Sequence, residues 1–202
     1  FGSSRIRLRV SGESASLTWR PRALGHAKME KANPRGVGSD EYELRPLRRD
    51  DYSKGYVPLL CQLTIADSLT EEGFAEIFAY RERLAEVYYT LVVEHLPSQK
   101  LVATGTLVIE AKFSRGGSKI GHVEDIVTDS AHRGKGLARD LLGALADKAK
   151  DIGCYKVILD CNSKNVPFYE KCGYRTCEMQ MRLDIPPDND FVVSPKSDLG
   201  AQ

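Results

Sequence analysis

Arg133-Gly134-Lys135-Gly136 stands between a β-branched run, Val123–Thr128, and a leucine-rich one that begins at Leu137. Gly134 and Gly136 can take backbone angles that other residues avoid, and they let the main chain approach a ligand closely. Free N–H groups at a helix start, reinforced by the helix dipole, make an anion site. Arg133, Lys135 and Arg139 add positive charge to it. The chemistry this spacing allows is a grip on phosphate. From G-x-G alone, a solvated glycine turn before a helix is the plainer account. The loop lacks the G-x-x-x-x-G-K-[ST] form, and no G-x-G-x-x-G follows. It does have the form [QR]-x-x-G-x-[GA], through Arg133, Gly136 and Ala138.

Upstream of that loop lie two adjacent carboxylates, Glu124 and Asp125. On a regular strand their side chains point to opposite faces. Asp160 closes the apolar run 155–161, where an unpartnered charge is costly; a strand-end carboxylate bonded to loop amides is the structural alternative. Tyr169, between Phe168 and Tyr174, reads by periodicity as a core tyrosine. No Ser-His-Asp or Cys-His constellation is evident. The five cysteines are odd in number and none has C-x-x-C spacing, while the four histidines are scattered. Neither a disulfide framework nor a metal centre is expected. Buried, reduced thiols fit a reducing compartment such as the cytoplasm.

The elements that must position these residues follow from hydrophobic period. Tyr42, Leu44 and Leu47 read as a first strand. Asp50 or Asp51 can cap a helix carrying Tyr52, Tyr56, Leu59, Leu60 and Leu63, kinked at Pro58. Ser68 and Glu71 form a capping-box pattern before a helix with Phe74, Ile77, Phe78 and Leu84 on one face. Val87–Glu94 and Leu101–Glu110 read as a hairpin turned at Pro97-Ser98-Gln99-Lys100. Ile120–Thr128 is a third strand of the run. A helix from Gly134 to Asp151 carries Leu137, Leu141, Leu142, Leu145, Ala146 and Ala149. Tyr155–Cys161 reads as a short buried strand, Asn165–Cys172 as a short helix, and Tyr174–Leu183 as a last strand. Strand, helix, strand over residues 120–161 implies a parallel right-handed crossover beside an antiparallel meander. The fold class is α/β, a mixed and mostly antiparallel central sheet flanked by helices.

Around this core, residues 1–40 are rich in Ser, Gly, Arg and Pro and read as a disordered extension. Their Arg-rich, acid-poor character also suggests a transit peptide, and Met29 a native start. Residues 185–202 read as a polar tail, leaving 41–184 as the domain. Apolar residues make up 42% and charged residues 28% of the 202, with net charge +1. Bulk charge therefore calls for neither nucleic acid nor an anionic membrane, and no apolar run approaches the roughly 20 residues of a membrane span.

The loop, set after a strand such as Ile120–Thr128, resembles the acyl-CoA pyrophosphate loop of the GNAT N-acetyltransferase superfamily. Within it, the chain is most similar to the eukaryotic glucosamine-6-phosphate N-acetyltransferases. The resemblance rests on YELRPLRRDDYSKGY, GTLVIEAKF, GHVEDIVTDSAHRGKGLARDLL, GCYKVILDC, NVPFYEKCGY and EMQMR. It implies acetyl-CoA as co-substrate, no metal, glucosamine 6-phosphate as acceptor and a step in UDP-N-acetylglucosamine synthesis. It implies that Ile126, Val127 and Thr128 bond the pantetheine arm like an added strand. Arg133, Gly134, Lys135, Gly136, Leu137 and Ala138 would hold the pyrophosphate, with Asn165, Phe168, Tyr169 and Glu170 along the cofactor's other side. Tyr169 would donate to the leaving thiolate. Asp160 would orient the amine or help take its proton, and Glu124, Asp125 and Ile126 would lie near the sugar. Thr64, Lys112, Arg115, Tyr155, Lys156 and Arg182 would complete the acceptor site, Arg182 arriving from the second subunit of a homodimer.

Two departures from the family pattern stand out. Ser114–Ser118 is short and lacks the family's usual histidine, and the connection from Tyr174 to Glu178 is also short. The competing functional readings are a GNAT enzyme for another amine and a non-catalytic acyl-CoA-binding module. The cations Lys112, Arg115, Lys156 and Arg182 favour an anionic acceptor.

Overall fold

Apolar alternation decides the architecture before any helix is considered. Val92 and Val93 are both fully buried although they point to opposite faces of one strand, so the sheet they belong to is covered on both sides. The computed structural model describes residues 40–185. Five strands, β1 (Tyr42–Pro46), β2 (Tyr88–His95), β3 (Lys100–Ala111), β4 (Lys119–Thr128) and β5 (Cys154–Leu159), pair in chain order. The first three pairings are antiparallel and β4–β5 is parallel. The parallel step needs a crossover, supplied by α4 (Leu137–Asp151).

One face of the sheet carries α4. Its Leu137, Leu141, Leu142, Leu145 and Ala149 recur at helical spacing and pack with Val93, Leu107 and Val123. Each fully buried leucine contributes about 2 kcal/mol. The other face carries α1 (Tyr56–Leu60) and α2 (Glu71–Arg83), whose Tyr56, Leu59 and Phe74 meet Val92, Leu101 and Val127. Buried Arg45 is held by Asp51 at 2.7 Å and Glu94 at 2.5 Å, and Lys54 also reaches Glu94 at 2.7 Å. This network ties β1 and β2 to the short 3-10 turn Arg49–Tyr52.

Several expected elements differ in detail. The helix expected around Tyr52–Leu63 is broken, because Gly55 takes φ +88° between the 3-10 turn and α1. Pro58 falls in the first turn of α1, where its missing N–H costs nothing. Asp51 is no N-cap; it is buried against Arg45 and accepts the Arg48 N–H at 2.7 Å. The cap of α2 is Thr70 rather than Ser68, its hydroxyl accepting from Gly73 N–H at 3.1 Å. Residues Ser114–Gly117 form a single turn, α3, in which Arg115 and Gly116 have positive φ. After β5 a 3-10 turn, Ser163–Asn165, leads into α5 (Val166–Lys171).

Two corrections concern the C-terminal end. β5 is the outer strand of the sheet and half-exposed, not buried, so Tyr155 and Ile158 face outward. The segment expected as a last strand, Tyr174–Leu183, forms no strand. A strand exists only as part of a ladder, and this segment pairs with no strand among the described residues. Its Met179, Met181 and Leu183 are 91%, 89% and 70% exposed. The expectations for residues 1–39, including the transit peptide and Met29, lie outside the described residues, as does the tail from 186 onward.

Candidate active site

The site begins with a defect in β4. Thr106 pairs with Glu124 and Thr104 with Val127, so Asp125 and Ile126 together oppose the single residue Gly105. Two residues against one make a β-bulge, and Asp125 takes φ +55° to form it. The bulge turns Ile126 back over Gly105, where an added Cβ would stand 2.3 Å from Ile126 Cδ1 and 3.0 Å from Leu141 Cδ2. Gly105 is therefore set by close approach rather than by turn geometry.

The bulge has two consequences. The β4–β5 ladder runs only to Val123–Leu159, and beyond it the two strands part. Glu124–Thr128 thus offer an edge that β5 does not pair, where Ile126, Val127 and Thr128 were expected to meet an extended ligand. The bulge also breaks alternation. Glu124 shares a face with its partner Thr106, whose hydroxyl meets Thr90 and Arg81 of α2. Asp125 lines a cavity with Tyr56, Phe74, Phe78 and Arg81 on the same side. The expectation that Glu124 and Asp125 point to opposite faces is corrected accordingly.

His122 lies two residues before Glu124 on that face, unanticipated in the sequence reading. Its Nε2 is 3.3 Å from Glu124 Oε1 and 3.4 Å from Asp160 Oδ2. The nitrogen is shut off from solvent and aligned with neither carboxylate for a hydrogen bond. Asp160, just past the end of β5, also accepts from Gln180 Nε2 at 2.9 Å. It is 41% exposed, so it is not a buried lone charge, and no loop amide among the described residues donates to it.

At the far end of β4, Asp129 accepts from Ala131 N–H at 3.0 Å, and Gln62 clasps the loop through Asp129 and Ser130 N–H. Gly134 and Gly136 have φ of +78° and +83°, as the loop requires. Gly136 is the N-cap of α4 and no side chain caps that end, so Leu137 and Ala138 bring free amides to the loop, beside exposed Arg139. Arg133 donates back to Thr128 O at 3.3 Å. This arrangement fits a diphosphate. A second contact was absent from the sequence reading: Lys135 Nζ donates to Tyr42 Oη at 2.7 Å, and that hydroxyl shares a 3.0 Å hydrogen bond with His132 Nδ1. The His95 and His132 rings lie 4.8 Å apart. Burial, then His95, then Lys135 hold His132 below its ordinary value.

Tyr169 sits on α5, following the point where β4 and β5 part. Its ring packs on the core beside Phe168 and Tyr174, with centroids at 5.1 and 6.0 Å. Burial first, then Cys161 and Cys172, push its phenol up, so it keeps its proton. Tyr174 is pushed up to about 12, chiefly by burial. Asn165 stands at the N-cap position of α5 without a side-chain capping bond, and Phe168 and Glu170 are exposed on that helix.

The expected phosphate cations are only partly gathered. Arg115 and Lys156 both approach the Tyr155 ring, at 5.0 and 5.8 Å. Lys112 is ion-paired with Glu110. Arg182 pairs with Asp184 at 2.5 Å on the exposed C-terminal segment, and Thr64 is exposed on the loop after α1. The hydrophobic period contained no signal for His95, His132 or Gln62, since their partners are distant in sequence. His122 was within reach of the i, i+2 rule applied from Glu124.

Comparison with known proteins adds an independent line. The acetyltransferase (GNAT) family pattern matches residues 43–174. A glucosamine 6-phosphate N-acetyltransferase of Arabidopsis thaliana is 42% identical over 143 residues, 71% of this chain and 96% of that protein. One of Trypanosoma brucei brucei is 43% identical over 145 residues, 72% of this chain and 97% of that protein. A crystal structure of the Arabidopsis thaliana enzyme superposes with a TM-score of 0.70 at 41% identity, covering 72% of this chain and 99% of the other.

Proposed function

The chain belongs to the acetyltransferase (GNAT) family, and from that premise we propose how residues 41–184 act as a glucosamine 6-phosphate N-acetyltransferase. The observation that carries the activity is identity above 40% across nearly the whole length of enzymes with that name. The acetyl group of acetyl-CoA passes to the sugar amine, giving N-acetylglucosamine 6-phosphate and CoA. Acetyl-CoA supplies the activated acyl group; the protein aligns, polarises and moves protons.

Leu137 and Ala138 amides, with Arg133, Lys135 and Arg139, hold the pyrophosphate. The free edge of Ile126–Thr128 bonds the pantetheine arm, and an N–H of that edge polarises the thioester carbonyl. Glu124, Asp125 and Asp160 surround the amine. The amine attacks the carbonyl carbon and gives up one N–H proton to Asp160, the C–S bond breaks, and Tyr169 donates its proton to the departing thiolate and regains one from solvent. Its protonated, partly buried phenol suits that role. Arg115 and Lys156, gathered about Tyr155, receive the sugar phosphate together with Lys112.

Arg182 serves a second copy of the chain. The alternation of Met179, Met181 and Leu183 on an unpaired segment, together with the outer strand β5, supports a homodimer completed by exchanged strands. The compartment we propose is the cytoplasm, since all five thiols are unpaired. No helix among the described residues is long and apolar enough to cross a membrane.

Release of CoA thiol tests the substrate. Glucosamine 6-phosphate should be far faster than glucosamine, glucosamine 1-phosphate or spermidine. An equal rate with spermidine would overturn the assignment.

A further inference from the structure

Lys135 stands between Gly134 and Gly136, both at positive φ, and no atom lies within 4 Å of where a Gly134 Cβ would be. Packing therefore does not hold the crest of the phosphate loop. A side chain does: Lys135 Nζ donates to Tyr42 Oη at 2.7 Å and lies 5.3 Å from the centre of that ring. Tyr42 is itself fixed. It pairs across β1 and β2 with His95, whose Nδ1 shares a 2.7 Å hydrogen bond with Ser98 Oγ. The rings of Tyr42 and His95, Tyr42 and His132, and His95 and His132 have centroids 5.2, 5.8 and 4.8 Å apart. An ammonium only donates, so Oη accepts from Lys135. Its own proton goes to His132 Nδ1 at 3.0 Å when that nitrogen is unprotonated.

We propose that Tyr42 is a positioning residue for acetyl-CoA: its hydroxyl fixes the Lys135 ammonium, and with it the loop between the two glycines, before the cofactor arrives. The inference rests on the acetyl-transfer reading above. Lysine has three N–H donors. One is spent on Tyr42, and two remain for phosphate oxygens on an exposed side chain. A free lysine on a glycine-flanked loop loses side-chain and backbone freedom when it binds a ligand, and that loss weakens binding. Here folding has already incurred it. The hydrogen bond to Tyr42 also holds the ammonium above its ordinary value, so its charge persists. Tyr42 acts through Lys135 and not on the thioester, so its effect falls on cofactor affinity and not on the chemical step.

Tyr42→Phe tests this, because it keeps the ring in its packing and removes the acceptor. The dissociation constant and KM for acetyl-CoA should rise about 5-fold, with kcat at saturating acetyl-CoA and KM for glucosamine 6-phosphate unchanged. Calorimetric titration with acetyl-CoA is repeated on Lys135→Met, alone and combined with Tyr42→Phe. Residues that act as one unit are non-additive, so Tyr42→Phe should add nothing once Lys135 is replaced. An unchanged dissociation constant in Tyr42→Phe would overturn the proposal. So would an equal fold-loss in both backgrounds, the mark of a merely structural tyrosine. Should Tyr42→Phe fail to fold, side-chain 15N relaxation of Lys135 in the unsubstituted protein serves instead. The ammonium should be ordered without cofactor, and a freely moving one would count against the clamp. Wild-type protein that does not bind acetyl-CoA would sink the acetyl-transfer reading. A wild type that binds it, with Tyr42→Phe equal to it, sinks the present inference alone.

Discussion

Tyr169 illustrates how one side chain can satisfy two demands. Its ring belongs to the core cluster, as the periodicity of its neighbours suggested, while its phenol makes no hydrogen bond among the described residues and is kept protonated by burial. Tyr169→Phe keeps the packing and removes only the donor. It should lower turnover about 10²-fold and leave the dissociation constant for acetyl-CoA nearly unchanged by calorimetry; intact turnover would remove the assigned role. His132 makes a second residue-scale prediction. Its folded value lies below the ordinary imidazole value, so on acidification the unfolded chain takes up the proton first. Stability from this residue is present above the ordinary imidazole range and is lost as pH falls through it. Protonation would also set a cation beside Lys135 and place two donors on Tyr42 Oη. Melting temperatures measured from about pH 8 to about pH 5 should drop further for the wild type than for His132→Gln. Parallel curves would show that the ring has no such effect.

Individual elements owe their function to departures from regularity. β4 would be an ordinary strand but for Asp125, whose positive φ inserts the extra residue and ends the ladder with β5. Gly105 makes room for the displaced Ile126, as α4 fixes Leu141 on the other side. Gly105→Ala should therefore destabilise the fold by about 1–3 kcal/mol in urea denaturation and lower activity with it. Ile126→Val removes the nearest methyl, so in the double variant part of that stability should return. Full stability of Gly105→Ala would mean that the bulge does not need the glycine. The loop before α4 shows the same logic: Gly134 and Gly136 supply backbone angles, while Tyr42 and Gln62, from elements far away in sequence, hold the loop in place.

At the scale of the whole molecule, the described chain ends with exposed apolar side chains beside the outer strand of its sheet. Exchange of that segment between two copies would bury them and bring Arg182 to the acceptor phosphate. Met181→Glu should shift sedimentation toward the monomer and cut turnover in step; an unsubstituted protein that is monomeric and fully active would exclude the shared site. The order of strands and helices as far as α5, the apolar stripe of α4 and the glycine loop were legible in the sequence, because each depends on residues within one or two turns of one another. The resemblance of six short segments likewise pointed to the acetyl-transfer chemistry before any fold was seen. Tertiary structure alone decided that Glu124 and Asp125 share a face, that His122 stands between Glu124 and Asp160, and that Tyr42 grips Lys135 across 93 residues. It also decided that β5 is an outer strand and that the last expected strand has no ladder among the described residues. Periodicity records which way a side chain points along one element, whereas these features depend on a bulge that changes the phase and on partners that only the folded sheet brings together.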